Sequence, residues 1–409
     1  MRKQIGTLFF IFVCTSIAWM ILGSITSTRT HSQDVKLKRT VGQLWGTIQK
    51  QHAPFVYYQT SKEMDVTTVR GSESIVEKRI VTSNHPINIE GSDITVDVKL
   101  EHRKKGLLWY STYNVVFNGT YTVLNNSEKK RIIFFEYTFP TVEGVYDNFS
   151  LVVDGGKIKE LKPRAGKIVK EISFLPHEAK DIEILYGSQG MDEWWYMFGE
   201  EVSHIQNFNL TMTTDFNEID FPENSISPTT KDVTAQGWEL TWHFDDLISG
   251  IQIGMVMPQK VNPGPFVSRV TFFAPISLFL FFFLMFIITT LKEIKIHPMN
   301  YFFIAAAFFS FHLLLAYLAD HIDIHLALIS SSVVSIFLVI SYVRLVVGMR
   351  FAFLETGISQ FVYLVLFSYT FFLTGYTGLA ITILCIVTLF VVMQITGRIN
   401  WQKQFENTK

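Results

Sequence analysis

Residues 5–25 run for 21 positions without a charge, and from Phe266 onward apolar segments recur with only short polar or glycine-containing breaks between them. A bilayer core takes about 20 apolar residues in a helix, so both ends of the chain are constrained to a membrane before any other feature is weighed. A secretory signal has a shorter apolar core, about 7 to 15 residues. The first run therefore reads as an uncleaved anchor, with Ser24 and Ser27 leaving cleavage as the alternative. Five further spans are predicted at 270–291, 299–318, 326–347, 358–373 and 379–395, which makes six; Arg350 and Glu355 bracket a partly apolar stretch that could extend either the fourth or the fifth.

Composition agrees with this division. Only 17% of the residues are charged, against about 25% in a soluble protein. Of the 37 phenylalanines, 22 lie after residue 265 and three in the first 25 residues. Residues 26–265 carry a net charge of −6 and residues 266–409 of +3. That leaves no basic tract of the kind that binds nucleic acid. The two cysteines, Cys14 and Cys385, both sit in apolar runs, which excludes a disulfide framework and a cysteine-based zinc site.

Orientation follows from the basic residues of the short connections. Lys292 and Lys295, Arg344 and Arg350, and Arg398, Lys403 and Lys409 mark one side as cytoplasmic. The opposite turns, 319–325 and 374–378, contain no Lys or Arg. With six spans, both termini are then cytoplasmic and the long segment between the first two spans is outside. The implied domains are an anchor at 1–29, an extracytoplasmic domain at 30–265, a five-helix membrane domain at 266–397 and a cytoplasmic tail at 398–409.

Within the outer segment, Val35, Leu37, Val41, Leu44, Trp45 and Ile48 repeat at helical spacing. They predict an amphipathic helix that either lies on the membrane or packs on the domain. Beyond it the period becomes two: Ile94, Val96, Val98 and Leu100 alternate with polar residues, as do Trp238, Leu240, Trp242 and Phe244. Asn118-Gly119 predicts a hairpin turn, because a type I′ turn needs two positive φ values, and Asp154-Gly155-Gly156 predicts a second. Further strands are expected at 132–139, 181–186, 208–214 and 251–257, with a Pro-rich linker at 258–265. The fold class is a membrane α+β protein: six transmembrane helices with a large antiparallel β-rich domain between the first and second, built as a β-sandwich or as two packed subdomains.

Several stretches together resemble one family. Lys295-Ile296-His297-Pro298-Met299-Asn300-Tyr301 is similar to a basic-x-His-Pro-x-x-Tyr opening of a span, and residues 313–321 to a Leu-rich run that closes on an acidic residue and His. Asn400-Trp401 matches the family's end. Arg103-Lys104-Lys105-Gly106-Leu107, with Tyr113 and Gly119 after it, and Gly237-Trp238 with Trp242, Phe244 and Met257-Pro258, resemble its outer-domain segments. The family is CreD, bacterial inner-membrane proteins described as cell-envelope integrity proteins. Ala53-Pro54-Phe55 departs from its Gly-Pro-hydrophobic pattern, and His312 stands where it has an aromatic residue. The resemblance implies an inner-membrane protein tied to envelope stress, under two-component control in some bacteria and linked to colicin tolerance. It implies no reaction.

Candidate functional residues are few. His312 lies within the third span, where an ionisable residue is a functional candidate; a neutral imidazole bonded between helices is the plainer reading, since no acidic partner lies at its depth. Asp320, His321, Asp323 and His325 crowd one turn. Imidazole and carboxylate could hold zinc there, but a polar hinge capping helix ends accounts for them more simply. His297-Pro298 suits a helix start, and His297 beside Lys292 and Lys295 could also meet a lipid phosphate. Asp192-Glu193-Trp194-Trp195-Tyr196 sets carboxylates beside rings, as sugar-binding surfaces do, although a packed corner explains it as well. The chain has no nucleophile elbow, phosphate loop or His-Glu-x-x-His motif.

These readings lead to a non-enzymatic protein of the bacterial inner membrane, without cofactor or metal. Its periplasmic domain contacts an envelope component, a protein partner among the possibilities, and its spans bind membrane lipids. The alternatives are a transporter, which would line a path with residues such as His312, Gln360 and Gln394, and an envelope hydrolase.

Overall fold

A computed structural model describes residues 2–70, 73–199 and 201–397. Asn400-Trp401 and the tail at 398–409 lie outside the described residues. The chain divides into two compact units, Met1–Lys36 with Val261–Lys409, and Leu37–Lys260.

Among the described residues, six helices are long and apolar enough to cross a membrane. They lie in Arg2–Trp45, Pro263–Leu291, Pro298–Leu318, Ile324–Val346, Phe351–Phe372 and Thr377–Thr396. The second helix starts inside the expected linker, because Pro263 at its first position forfeits no intrahelical hydrogen bond. Trp19, fully buried, meets the Phe308 and His312 rings at 6.3 and 5.3 Å, and Ser268 donates to the Gly23 carbonyl at 3.1 Å. The first span is thereby packed on the second and third.

The fifth span differs from expectation. Its helix begins at Phe351 rather than 358, so Glu355 falls inside it, where Lys292 pairs with the carboxylate. That pairing lets a charged residue occupy the span, and the partly apolar stretch before it extends the fifth helix rather than the fourth. The helix is also irregular: Phe351–Gly357 and Phe361–Leu366 are π-helical, separated by a short α-helical turn.

The second unit carries the strands: β1 Gln49–His52, β2 Phe55–Arg70, β3 Glu73–Pro86, β4 Ile89–Lys105, β5 Leu108–Leu124, β6 Arg131–Thr138, β7 Tyr146–Val153, β8 Gly156–Lys157, β9 Lys167–Phe174, β10 Ala179–Met191, β11 Glu193–Met197, β12 Ser203–Thr214, β13 Thr230–Val233, β14 Trp238–Ser249 and β15 Ile253–Val256. They form an eight-stranded sheet ordered β13-β14-β12-β4-β5-β10-β7-β8, a four-stranded sheet β3-β2-β6-β9 and a three-stranded sheet β1-β11-β15. Pairing is antiparallel except for β12 with β4 and β1 with β11. One core draws on all three sheets, Val96 and Phe117 from the first, Phe135 from the second, Trp194 and Met255 from the third.

The expected alternation appears where period two was read. Ile94, Val96 and Val98 are buried in β4, and Leu240 and Trp242 in β14. Part of the helical repeat packs on the domain: Val41 is buried with Leu108, Tyr110 and Met191, and Leu37 and Trp45 lie against them, whereas Val35 and Leu44 are exposed.

Asn118-Gly119 is not a turn. Both residues lie mid-strand in β5, paired with Thr95 and Ile94 of β4 on one side and with Leu185 and Ile184 of β10 on the other. Gly119 falls in the inward row with Tyr113, Val115, Phe117, Tyr121 and Val123, all buried. A Cβ there would sit 3.0 Å from the Phe117 ring and 3.1 Å from the Tyr121 hydroxyl. The glycine makes room for two aromatic rings, and ladders on both edges override the local turn preference. The hairpin instead turns at Gly106, φ +60°. The second predicted turn is present: Asp154 and Gly155 have φ of 45° and 76° between paired Val153 and Gly156.

Candidate functional site

Between β6 and β7 the chain reads Phe139-Pro140-Thr141-Val142-Glu143-Gly144-Val145, and this loop walls a groove of about 520 Å³. Phe139, Tyr146, Phe149, Leu161 and Ile168 are among its lining. The Phe139 ring stands 4.6 Å from Tyr146 and 5.2 Å from Phe149, centroid to centroid. Val142 and Val145 beside it are 83% and 70% exposed, a local apolar surface with no covering element among the described residues.

The loop is held by one side chain. The Tyr146 hydroxyl accepts from the Thr141 N–H at 2.8 Å and donates to the Thr141 carbonyl at 2.7 Å. Gly144 permits this, since a Cβ would lie 2.8 Å from that hydroxyl. Burial raises the Tyr146 pKa to about 12, against a lowering by its Thr141 hydrogen bond.

The opposite wall is the segment from Leu161 to the start of β9. Ala165 and Gly166, φ 49° and 75°, make a tight turn closed by backbone bonds of 2.8 and 3.0 Å between Arg164 and Lys167. The Phe139 N–H donates to the Gly166 carbonyl at 3.0 Å and pins the turn to the end of β6. Lys157, Lys159, Lys162, Arg164 and Lys167 are exposed from β8 to the start of β9, with Glu160 the one acid among residues 157–167. Lys167 pairs with Glu136 at 2.7 Å. Lys157, Lys159, Lys162 and Arg164 have no ion-pair partner among the described residues.

Beneath the groove lies a buried polar hub. Gln51 Oε1 accepts from the Tyr137 and Tyr186 hydroxyls at 2.7 and 2.8 Å, and its Nε2 donates to the His52 carbonyl at 2.7 Å. Burial pushes both tyrosines well above their ordinary pKa. The Tyr137 ring packs at a tilt against Phe149, centroids 5.8 Å apart, so the hub supports the groove floor.

The residues singled out by sequence take other places. His297 caps the third helix, its Nδ1 accepting from the Met299 N–H at 3.2 Å. His312 is buried, with Nδ1 3.3 Å from the Phe308 carbonyl and rings of Trp19, Phe308 and Phe311 around it. Asp320 pairs with Arg29 at 2.7 Å. His321 is exposed in the turn. Asp323 caps the fourth helix through the N–H groups of His325 and Leu326, and His325 stacks on Phe372 at 4.4 Å. Among the described residues, no three His, Cys, Asp or Glu side chains converge as a metal would need. Trp194 and Tyr196 are core residues, Trp195 Nε1 donates to Glu193 at 2.8 Å, and Asp192 pairs with Lys38 at 2.6 Å.

The membrane unit holds a polar seam of its own. Gln360, fully buried, donates through Nε2 to Ser335 at 2.9 Å, and Ser335 donates to the Ala307 carbonyl at 2.7 Å. Gln360 Oε1 has no partner among the described residues.

Sequence reasoning missed the groove. Its signal is the cluster of rings around the turn, Phe139, Tyr146 and Phe149, with Val142 and Val145 between them, which follows neither a strand nor a helix period.

Comparison with known proteins adds one family. The model described as "Inner membrane protein CreD" matches residues 202–402, from β12 through the five C-terminal spans. No curated protein matches the sequence. Among solved structures, a putative nutrient binding protein from Legionella pneumophila is similar at 8% identity and a TM-score of 0.32, over 57% of this chain and 76% of that one. An M1 zinc metallopeptidase from Deinococcus radiodurans is similar at 10% identity and a TM-score of 0.22, over 42% of each chain.

Proposed function

We propose that this chain, a member of the CreD family of inner membrane proteins, is a binding protein of the bacterial envelope, linked to envelope integrity, whose β-domain faces the periplasm. Both termini are cytoplasmic in this reading. The carrying observation is the groove of Phe139, Tyr146, Phe149, Leu161 and Ile168 with exposed Val142 and Val145 at its edge. Contiguous apolar surface beside a shaped concavity favours a ligand or partner. The lining sets aromatic and aliphatic side chains beside Thr141 and the glycines Gly144 and Gly166, without an acid, base or thiol among them, which supports binding over a reaction.

The reading is tested by placing a photo-crosslinking residue at Val142 in the intact protein in cells, with a second at Val233, 72% exposed on β13. Adducts at Val142 and none at Val233 support it. Equal labelling at both positions, or none at either, contradicts it.

A transporter is the second reading, supported by the Gln360 side-chain oxygen, without a partner among the described residues, in the α-helical turn between two π-helical stretches, since π-bulges recur at functional sites. It predicts solute or proton flux in liposomes carrying the purified protein, abolished by Gln360→Leu.

A further inference from the structure

The buried hydroxyls of the membrane unit fall into two kinds. Ser332, Ser359 and Thr388 each donate to the carbonyl four residues earlier, at 2.7, 2.6 and 2.7 Å, which is how a helix in lipid satisfies a hydroxyl from within itself. Thr271, Ser331, Thr356 and Ser368 are at most 1% exposed, and their hydroxyls have no partner among the described residues. Gln360 Oε1 and Glu355 Oε2 are in the same condition.

These atoms form a row. Thr356, Gln360 and Ser368 stand at multiples of four residues on the fifth span, with fully buried Leu364 completing the series. The π-helical stretches Phe351–Gly357 and Phe361–Leu366 take more residues per turn than an α-helix, so residues four apart keep to one face. That face meets the fourth helix, since Gln360 Nε2 donates to Ser335 at 2.9 Å. The two are consecutive spans and run antiparallel. Ser331, one turn from Ser335, is therefore level with Leu364 and supplies the hydroxyl that the leucine lacks. Ser277 of the second helix donates to the Tyr363 carbonyl, and the same reasoning puts Thr271 level with Ser368. Glu355, next to Thr356 in the chain, ends the row with its other oxygen bonded to Lys292.

Successive levels are one turn apart, about 6 Å along the helix. That is too far for a direct hydrogen bond and matches two bonds through one water molecule, at about 2.8 Å each. A bound metal cation needs several oxygens converging on one point, whereas oxygens spaced by turns suit a file of water, which settles where buried polar groups lack other partners. Hydroxyls both donate and accept, so they can pass a proton along such a file. With its members almost unexposed, the row leaves no opening for a larger solute.

We infer that the seam from Ser368 to Glu355 holds a single file of water and carries protons through the span bundle. Each hydroxyl or water takes a proton from the neighbour on one side and releases one to the neighbour on the other. The Glu355 carboxylate takes up the proton that reaches its end and gives it to water at that face of the membrane, so the seam returns to its starting state and the proton gradient drives the transfer. This rests on the transporter reading and names what is transported.

The test uses the purified full chain in liposomes with a pH-sensitive dye inside and a potassium diffusion potential set by valinomycin. Internal pH should change at least about fivefold faster than in protein-free liposomes. The rate should fall to that background in Gln360→Leu and in Thr356→Val, which keeps the shape of the side chain, and should be unchanged in Ser332→Ala, whose hydroxyl is already bonded. A second measurement detects the water itself: hydroxyl radicals made by X-ray radiolysis modify a buried side chain that has water beside it. Leu364 should be modified at least about fivefold faster than Leu278 and Leu315, which are equally buried in the same bundle. Proton flux at background in the parent, equal flux in the parent and Thr356→Val, or Leu364 modified no faster than the other two leucines overturns the inference. If the parent liposomes pass no protons but release entrapped radiolabelled sugars or amino acids, the transporter reading stands and the proton seam falls; if they pass neither, both fall.

Discussion

Tyr146 and Thr141 close on each other through a single hydroxyl, which accepts from the Thr141 N–H and donates to the Thr141 carbonyl, at 2.8 and 2.7 Å. Five residues of loop are thereby fixed as one wall of the groove. Tyr146→Phe removes both bonds and nothing else of the ring's packing. At about 1 kcal/mol net for each bond, the variant should lose roughly 1–2 kcal/mol by denaturant unfolding and should weaken crosslinking at Val142. Unchanged stability and unchanged crosslinking would show that the loop holds its shape without the clamp.

Gln51 accepts from two buried tyrosines at once, so Gln51→Leu strands two donors. Each unsatisfied buried donor costs about 1–3 kcal/mol, and the loss in thermal or denaturant unfolding should be correspondingly large. The same tyrosines set an alkaline limit. Their folded pKa values are raised by burial above the unfolded value near 10, so their contribution is fully present below about pH 10. It is lost as pH rises through the folded values. Stability that stays flat from pH 9 to 12 would contradict this arrangement.

Gly119→Ala tests the absent turn. A Cβ there presses on Phe117 and Tyr121, and overpacking of this kind costs about 1–3 kcal/mol. A melting temperature within error of the parent would mean that the two rings are not packed on this glycine.

Much of this architecture was legible because burial imposes period. The six apolar runs and the strands around Ile94–Val98 and Leu240–Trp242 followed from spacing alone. The failures have a common cause. Asn118-Gly119 is a turn signal by local chemistry, yet two neighbouring ladders and two rings decide its conformation, and none of these is adjacent in sequence. The start of the fifth span stayed open between two alternatives because the partner of Glu355, Lys292, caps the end of the second helix, far away in the chain. In the β2–β3 hairpin Met64, Ile80 and Val81 are exposed, at 52%, 71% and 40%, so burial imposes no period there for the sequence to show. The site was less legible than the fold, since a groove is made by a turn, and turn residues carry no burial period.

The Lys292–Glu355 pair predicts a compensation. Glu355 is mostly buried and its second oxygen, Oε2, has no partner among the described residues. Lys292→Ala leaves a charge without a partner at a cost of about 1–3 kcal/mol or more. It should lower the yield of folded protein and its melting temperature in detergent. Adding Glu355→Gln should restore much of the loss. If the double variant is no better than Lys292→Ala, the two side chains are not coupled.

The account stands or falls on the side of the membrane that the β-domain occupies. Alkaline phosphatase gains activity only where its disulfides can form, outside the cytoplasm. Fused within the loop at Asn224 it should be active, and fused after Lys409 it should be inactive. Activity at Lys409 and none at Asn224 would place the groove in the cytoplasm and contradict an envelope ligand.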